Sequence, residues 1–153
     1  MKKYEFTGET KEIRLLFRTA TLHRIRATVA FGIVEVGDLG GWIEKEENLS
    51  HEGKAWVCGD AKVCGDAKVF SASHVLVIGA IGSRNDFTTF YRDKDNEITV
   101  KCGCFLGKID RFLEKVTQTH GDSKYALVYR AAVEVAKLQI DLSGEAPKDA
   151  DEE

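Results

Sequence analysis

The sequence predicts an α+β protein in which a short hexapeptide β-solenoid is flanked by antiparallel strands and followed by two C-terminal helices. Three observations predict this class: a six-residue repeat over residues 55–75, alternating apolar residues upstream of it, and helical periodicity near the C-terminus. The predicted segments of the 153-residue chain are N-terminal antiparallel strands (1–41), the solenoid (42–78), a β-hairpin with two helices (79–142) and a disordered acidic tail (143–153).

The repeat has a small residue at its first position and valine at its third. The first positions are Ala55, Ala61, Ala67 and Ser73, and the third positions are Val57, Val63, Val69 and Val75. Side chains two apart lie on one side of an extended segment, and the Gly-Asp pairs that close the first two units permit a turn. A strand, a bend and an inward pair every six residues predict stacked coils, with three local hairpins as the alternative.

This pattern resembles the left-handed β-helix of hexapeptide-repeat proteins, in which three hexads make one triangular turn. The clear repeats make little more than one turn, so we expect flanking segments to cap them. The resemblance implies association of copies, and the sequence therefore predicts a homo-oligomer, with a trimer preferred. Many hexapeptide proteins are acyltransferases with a histidine base, so His51 and His74, in or near the repeat, keep that alternative open.

The flanking segments carry their own periodicities. Alternating apolar residues before residue 37 predict antiparallel strands, and the runs at 87–92 and 97–104 predict a hairpin with its tip at 93–96. Helices are predicted at about 109–119 and from Asp122 or Ser123 to about Leu142. The second helix has two apolar stripes, one of them formed by Leu127, Ala131, Val135 and Leu138. It is expected to pack on its own subunit and on a partner copy, or else to be sunk in its own domain.

Composition and charge exclude several classes of function. Apolar content of 43% and charged content of 31% are ordinary for soluble proteins. The sequence contains no predicted membrane span or apolar signal core, so we expect a cytoplasmic protein, no membrane partner and reduced cysteines. The net charge is −3 for the whole chain and −4 for residues 145–153, which leaves about +1 on residues 1–144. A nearly neutral body argues against broad nucleic-acid binding.

The most suggestive stretch for chemistry is the polar loop within residues 79–89. Its candidate ligand-binding residues are Ser83, Arg84, Asn85, Asp86, Thr88 and Thr89. A guanidinium gives bidentate contacts to phosphate or carboxylate, and neutral hydroxyl and amide groups add hydrogen bonds. The alternative is a loop that bonds its own backbone, with Arg84 paired to Asp86.

A second stretch, from Cys102 to Lys108, leads directly into the first helix. Its spacing differs from a P-loop, which needs four residues between its glycines and Ser or Thr after the lysine. Lys108 is therefore an assisting candidate, and His120 is added to the ligand-binding set. Cys102 and Cys104 with His120 match no common zinc spacing, so neither a metal nor a cofactor is predicted.

Two parts of the chain resemble a group of uncharacterised proteins from phages and prophages. The matching residues are Gly40–Glu44 and Asn48–Ser50, then Gly82–Arg84, Gly103–Phe105, Asp110–Phe112 and Thr119–Gly121. The resemblance implies a phage-borne accessory protein in the bacterial cytosol.

Our hypothesis is a non-enzymatic protein that binds, and sequesters, a small anionic signal derived from a nucleotide. One alternative is an enzyme, either an acyltransferase or phosphodiesterase-like, that uses His120 or His74 with Asp86 or Asp110. Another is a protein–protein inhibitor or a structural protein.

Overall fold

A computed structural model describes residues 2–144, whose regular structure comprises two four-stranded sheets, two α-helices and two short 3-10 helices. The strands are β1 Tyr4–Arg14, β2 Thr19–Ala27, β3 Leu39–Ile43, β4 Lys62–Val63, β5 Val75–Ile81, β6 Asp86–Arg92, β7 Ile98–Cys102 and β8 Phe105–Lys108, and the helices are α1 Ile109–His120 and α2 Lys124–Gln139. The α+β composition is therefore as predicted. The predicted acidic tail lies outside the described residues from residue 145 onward.

The first sheet has the strand order β1-β2-β3-β4. Strands β1 and β2 form the antiparallel pair that the alternating residues predict, and β3 pairs with β4 in parallel, with Trp42 opposite Lys62. The prediction of strand beyond residue 27 is wrong, because residues 28–38 form turns joined by one isolated bridge. Ile33 is 99% exposed there, so β-branched residues alone did not secure a partner strand.

The predicted β-solenoid, with its likeness to a left-handed β-helix, is wrong. The described fold is two open sheets with two α-helices, and residues 55–74 contain one strand, the two-residue β4, and a short 3-10 helix at Ala72–His74. The inward alanines and valines from residue 55 to residue 69 are nevertheless buried, at 0–1% exposure. Their backbone bonds to the preceding segment: Val57 O accepts from Gly41 N at 2.7 Å, and Val69 N donates to Asn48 O at 3.0 Å.

The reason is the small number of repeats. Little more than one turn of hexads cannot bury its inward side chains against further copies of itself. These side chains instead complete a core with Ile25 and Ile43 of the first sheet and with Tyr91 of β6. Gly59 and Gly65 take positive φ at 55° and 61°, so the turns predicted between units do form.

The second sheet is an antiparallel meander with the order β5-β6-β7-β8. Its β6–β7 hairpin is confirmed, with Phe90 opposite Val100. Consecutive side chains of a strand point to opposite faces: Phe90 packs in the core beneath the helices, and Tyr91 packs in the core of the hexads. The sheet is therefore buried on both faces and separates two cores.

Both predicted helices form and cover the second sheet. Helix α1 ends one residue later than predicted, and Gly121 N–H bonds Thr117 O at 3.0 Å just past its end. Helix α2 ends at Gln139 and buries one of its two apolar stripes. In the other stripe Leu138 is 89% and Leu127 61% exposed, so α2 is not sunk within its own chain. Neither helix in residues 2–144 is long and apolar enough to cross a membrane.

Candidate functional site

The turn between β5 and β6 closes one end of a cavity that lies between the second sheet and the two helices. The cavity has a volume of about 200 Å³ and is lined by all four strands of that sheet and by α1 and α2. Of the eight residues predicted from the sequence, five line it: Ser83, Arg84, Asp86, Thr88 and His120. We call this space the Ser83–Arg84 cavity. The structure thus brings together two stretches that lie more than thirty residues apart.

Two predicted residues near the turn lie outside this lining. Asn85 occupies the tip of the turn with a positive φ of 51°, where its N–H donates to Gly82 O at 3.2 Å. Thr89 points to the other face of β6, as its place next to Thr88 requires. Its hydroxyl oxygen accepts from Lys62 N at 3.1 Å, so Thr89 joins the two sheets instead of facing the cavity.

The structure also places Lys108 away from the cavity. Its ammonium lies 2.7 Å from Asp93, 2.8 Å from Asp95 and 3.5 Å from Glu97. Burial lowers the pKa of Lys108, but the hydrogen bonds to Asp93 and Asp95 outweigh that effect and hold the pKa above its usual value. Its charge is therefore already balanced by the hairpin tip.

Arg84 forms the wall of the cavity next to Gly103. A methyl group at Gly103 would lie 3.3 Å from Nη1 of the guanidinium, so the Arg84 side chain passes close to this turn. In residues 2–144 no carboxylate oxygen lies within 4.0 Å of Arg84. The Arg84–Asp86 pair that we considered from the sequence is thus not formed. Asp86 Oδ1 instead accepts from Phe87 N at 2.7 Å.

A small polar network lies on the inner side of the cavity. Tyr129, Ser83 and Cys102 lie together in the lining, and the Thr88 hydroxyl donates to Cys102 Sγ at 3.4 Å. Burial, followed by the neighbouring Cys102, raises the pKa of Tyr129. A protonated phenol in an apolar surround can donate a hydrogen bond to an anionic guest. Gly82 is required beside it, since any Cβ there would overlap the Tyr129 hydroxyl.

An aromatic lining escaped the sequence analysis. Tyr129 lies in T-shaped contact with Phe112 at 5.7 Å between ring centroids, and it stacks on His120 at 5.7 Å. Phe112 and Tyr129 fall at the apolar spacing of their helices, and such spacing alone does not separate core from cavity wall. A signal was present: Phe112, Val116 and His120 recur every four residues, which puts the histidine on the buried face of α1.

The catalytic alternatives receive less support from the geometry. His74 is 5% exposed, and its Nδ1 accepts from the Phe70 and Ser71 backbones at 3.2 and 3.1 Å, so it caps a turn. Burial, and next the charge of Arg92, lowers the pKa of His74. Asp110 lies outside the cavity lining. No group of three or more His, Cys, Asp or Glu side chains within residues 2–144 is arranged to hold a metal ion.

The four cysteines all lie in the described part of the chain, and all are free thiols. Burial raises the pKa of Cys64 to about 11, so this thiol packs as a small apolar group.

Neither a comparison with models of protein families nor a search of curated protein sequences gave a match to this chain.

Proposed function

We propose that this protein binds and sequesters a small anionic ligand derived from a nucleotide, and that it does so without turning the ligand over. In this proposal the chain is a phage-borne accessory protein of the bacterial cytosol, acting against a defence signal of the host. Ser83, Arg84 and Thr88 bind the ligand in the Ser83–Arg84 cavity, while Tyr129 and His120 pack against its ring.

The observation that carries the proposal is the guanidinium of Arg84. It stands at the wall of a cavity and has no carboxylate partner in the part of the chain that the structure describes. A guanidinium offers two parallel N–H donors to a phosphate or carboxylate. Its neighbours in the lining are hydroxyl groups and aromatic rings, which suit a ligand with a planar ring and an anionic end.

The rival enzyme hypotheses have weaker support. The acyltransferase alternative was drawn from the solenoid, and that scaffold is not the one observed. The phosphodiesterase-like alternative retains His120 and Asp86 in one cavity. His120 stacks on Tyr129 and contacts Tyr125, which favours a packing role for its ring.

Ligand capture tests the proposal directly. The purified protein is incubated with a mixture of bacterial nucleotide signals, separated from free ligand, and heated to release what it retained. We expect one nucleotide to be recovered intact by mass spectrometry. Recovery of an altered nucleotide would establish an enzyme, and retention of nothing would favour the protein–protein alternative.

The matching variant is Arg84→Ala. Loss of a charge-assisted bidentate contact should cost about 1.5–3 kcal/mol, which is a weakening of roughly tenfold or more. Arg111→Ala is the control, since Arg111 is an exposed arginine on α1 that lies outside the cavity. An affinity that changes less than about threefold in Arg84→Ala would mean that the Ser83–Arg84 cavity is not the binding site.

A further inference from the structure

A second hollow adjoins the Ser83–Arg84 cavity on the far side of Arg84. It has a volume of about 400 Å³ and shares Arg84, Asp86, Gly103 and Cys104 with the cavity. Its remaining lining comes from both sheets, including the end of β1, β4 and β7. Four cationic side chains face it, namely Arg14, Lys62, Arg84 and Lys101. We call it the cationic groove.

Several cations elsewhere in the protein are paired with carboxylates. Arg18 lies 2.6 Å from Glu44, Arg26 lies 2.7 Å from Glu5, and Lys108 contacts three carboxylates. By contrast, none of the four groove cations has a carboxylate oxygen within 4.0 Å among residues 2–144. Asp86 is the carboxylate in this lining, so the charges of the four cations exceed its charge and repel one another, and a bound anion would stabilise the groove.

Among the four groove cations Lys101 is the most buried, because it is only 6% exposed. Lysine is almost never so buried unless it is paired. Its ammonium donates to Gly103 O, which uses one of three N–H donors. Lys3 is equally buried, but its ammonium donates to Ala55 O at 2.6 Å and lies 4.8 Å from the centre of the Phe31 ring.

We propose that the cationic groove is a phosphate subsite, and that the ligand is a nucleotide with at least two phosphate groups. This inference rests on the proposed function and names the class of ligand. A cavity of about 200 Å³ is smaller than the usual range for a whole small-molecule ligand, so only the base is accommodated there. Arg84, in the wall common to both spaces, binds the first phosphate, and Lys62, Lys101 and Arg14 bind the phosphates beyond it.

Calorimetric titration of the full chain with pyrophosphate, orthophosphate, AMP and ADP tests the subsite. We expect pyrophosphate to bind at least about tenfold more tightly than orthophosphate, and ADP at least about tenfold more tightly than AMP. Lys62→Ala should weaken pyrophosphate and ADP at least about fivefold while changing AMP less than about twofold. Equal affinities for AMP and ADP, or no binding of pyrophosphate, would overturn the inference.

Lys68→Ala is the matched control. Lys62 and Lys68 occupy the same position in consecutive hexads, but only Lys62 lines the groove. Lys68→Ala should therefore leave pyrophosphate affinity unchanged, and equal losses in the two variants would contradict a local subsite. If a single-stranded oligonucleotide binds more tightly than ADP, the ligand of the groove is a nucleic acid and the inference of a small nucleotide is overturned.

The two proposals fail separately. If pyrophosphate does not bind but Arg84→Ala still releases the captured ligand, the groove is not a subsite and the cavity remains the binding site. If pyrophosphate binds in a Lys62-dependent way but Arg84→Ala has no effect on capture, the proposed function falls instead.

Discussion

Lys101 is a buried ammonium that donates to one carbonyl oxygen and has no carboxylate oxygen within 4.0 Å among residues 2–144. Burial lowers its pKa, which is the response of a cation held in an apolar surround. Such a residue stabilises the fold poorly and is retained where its charge serves binding. The lysine and its groove partners are therefore a cost to the ligand-free protein.

Replacing Lys101 by Met should leave the ligand-free protein at least as stable as the wild type, because Met fills a similar volume without a buried charge. The same change should abolish the rise in Tm that pyrophosphate causes in the wild type. Thermal unfolding with and without pyrophosphate measures both effects. A variant that is strongly destabilised, yet still stabilised by pyrophosphate, would show that Lys101 has only a structural role.

Lys3 gives a pH dependence of defined sign. Burial lowers its pKa to about 8, against about 10.4 in an unfolded chain. Below about pH 8 both states are protonated, and the burial penalty is present in full. Between about pH 8 and pH 10.4 the unfolded chain holds the extra proton, so the free energy of unfolding contributed by Lys3 rises with pH.

Urea unfolding of the wild type and Lys3→Met at about pH 7 and about pH 9.5 measures this contribution. The difference between the two proteins should move in favour of the wild type at the higher pH. Cys64, with its pKa raised to about 11 by burial, acts with the opposite sign in both proteins and cancels in the difference. A difference that does not vary with pH would mean that the Lys3 ammonium is not desolvated.

At the scale of elements, β6 joins the two halves of the protein. Its Tyr91 is 0% exposed, and its hydroxyl donates to Cys64 O in the hexad segment at 2.7 Å. Tyr91→Phe should lower the free energy of unfolding by about 1–3 kcal/mol, because it leaves a buried carbonyl without this donor. Tyr125→Phe, at a side chain 40% exposed, is the control and should change it little.

Chemical unfolding monitored by fluorescence tests the contribution of Tyr91. Equal stability of Tyr91→Phe and the wild type would show that the two cores adhere through apolar packing alone. The same transition, followed at several wavelengths, reports whether the two cores unfold together.

The elements that could be predicted were those whose periodicity is local. Alternation predicted β1 and β2, the polar tip at 93–96 predicted the hairpin, and four-residue spacing predicted both helices. The hexad period correctly placed buried residues such as Val57 and Val63. It did not predict what they pack against, since that depends on residues 41–50 and on Tyr91, far away along the chain.

The residues of the candidate site also divide into those that a local pattern predicted and those that it did not. Ser83 and Arg84 were found from the chemistry of one loop, and the structure places both at the cavity. Lys62 and Lys101 were missed because each looks like an outward polar residue of an alternating segment. Only the approach of the two sheets brings them to one groove, and no short-range pattern encodes that approach.

At the scale of the whole molecule, the exposed stripe of α2 is an apolar surface that the described chain leaves uncovered. Leu127, Val135 and Leu138 are 61%, 46% and 89% exposed, at spacings that make a continuous seam with Ala131. Spacings of this kind are typical of helices that pair. The homo-oligomer predicted from the sequence remains a proposal, in which this seam is the interface.

Leu138→Lys should therefore shift the protein to a smaller species in light scattering after gel filtration, because a charge in a helix seam opposes pairing. Phe17→Lys is the control: Phe17 is 97% exposed but lies on the β1–β2 turn. A wild type that elutes as a monomer at all concentrations would remove the association proposal.

The cationic groove draws its side chains from both sheets, with Lys62 on one and Lys101 on the other. A phosphate that contacts both lysines would link the two sheets. Ligand binding would then raise the free energy needed to separate the two sheets, because the ligand would have to dissociate first. Under the proposed function, a ligand held by both sheets would dissociate slowly, which suits a protein that retains a signal.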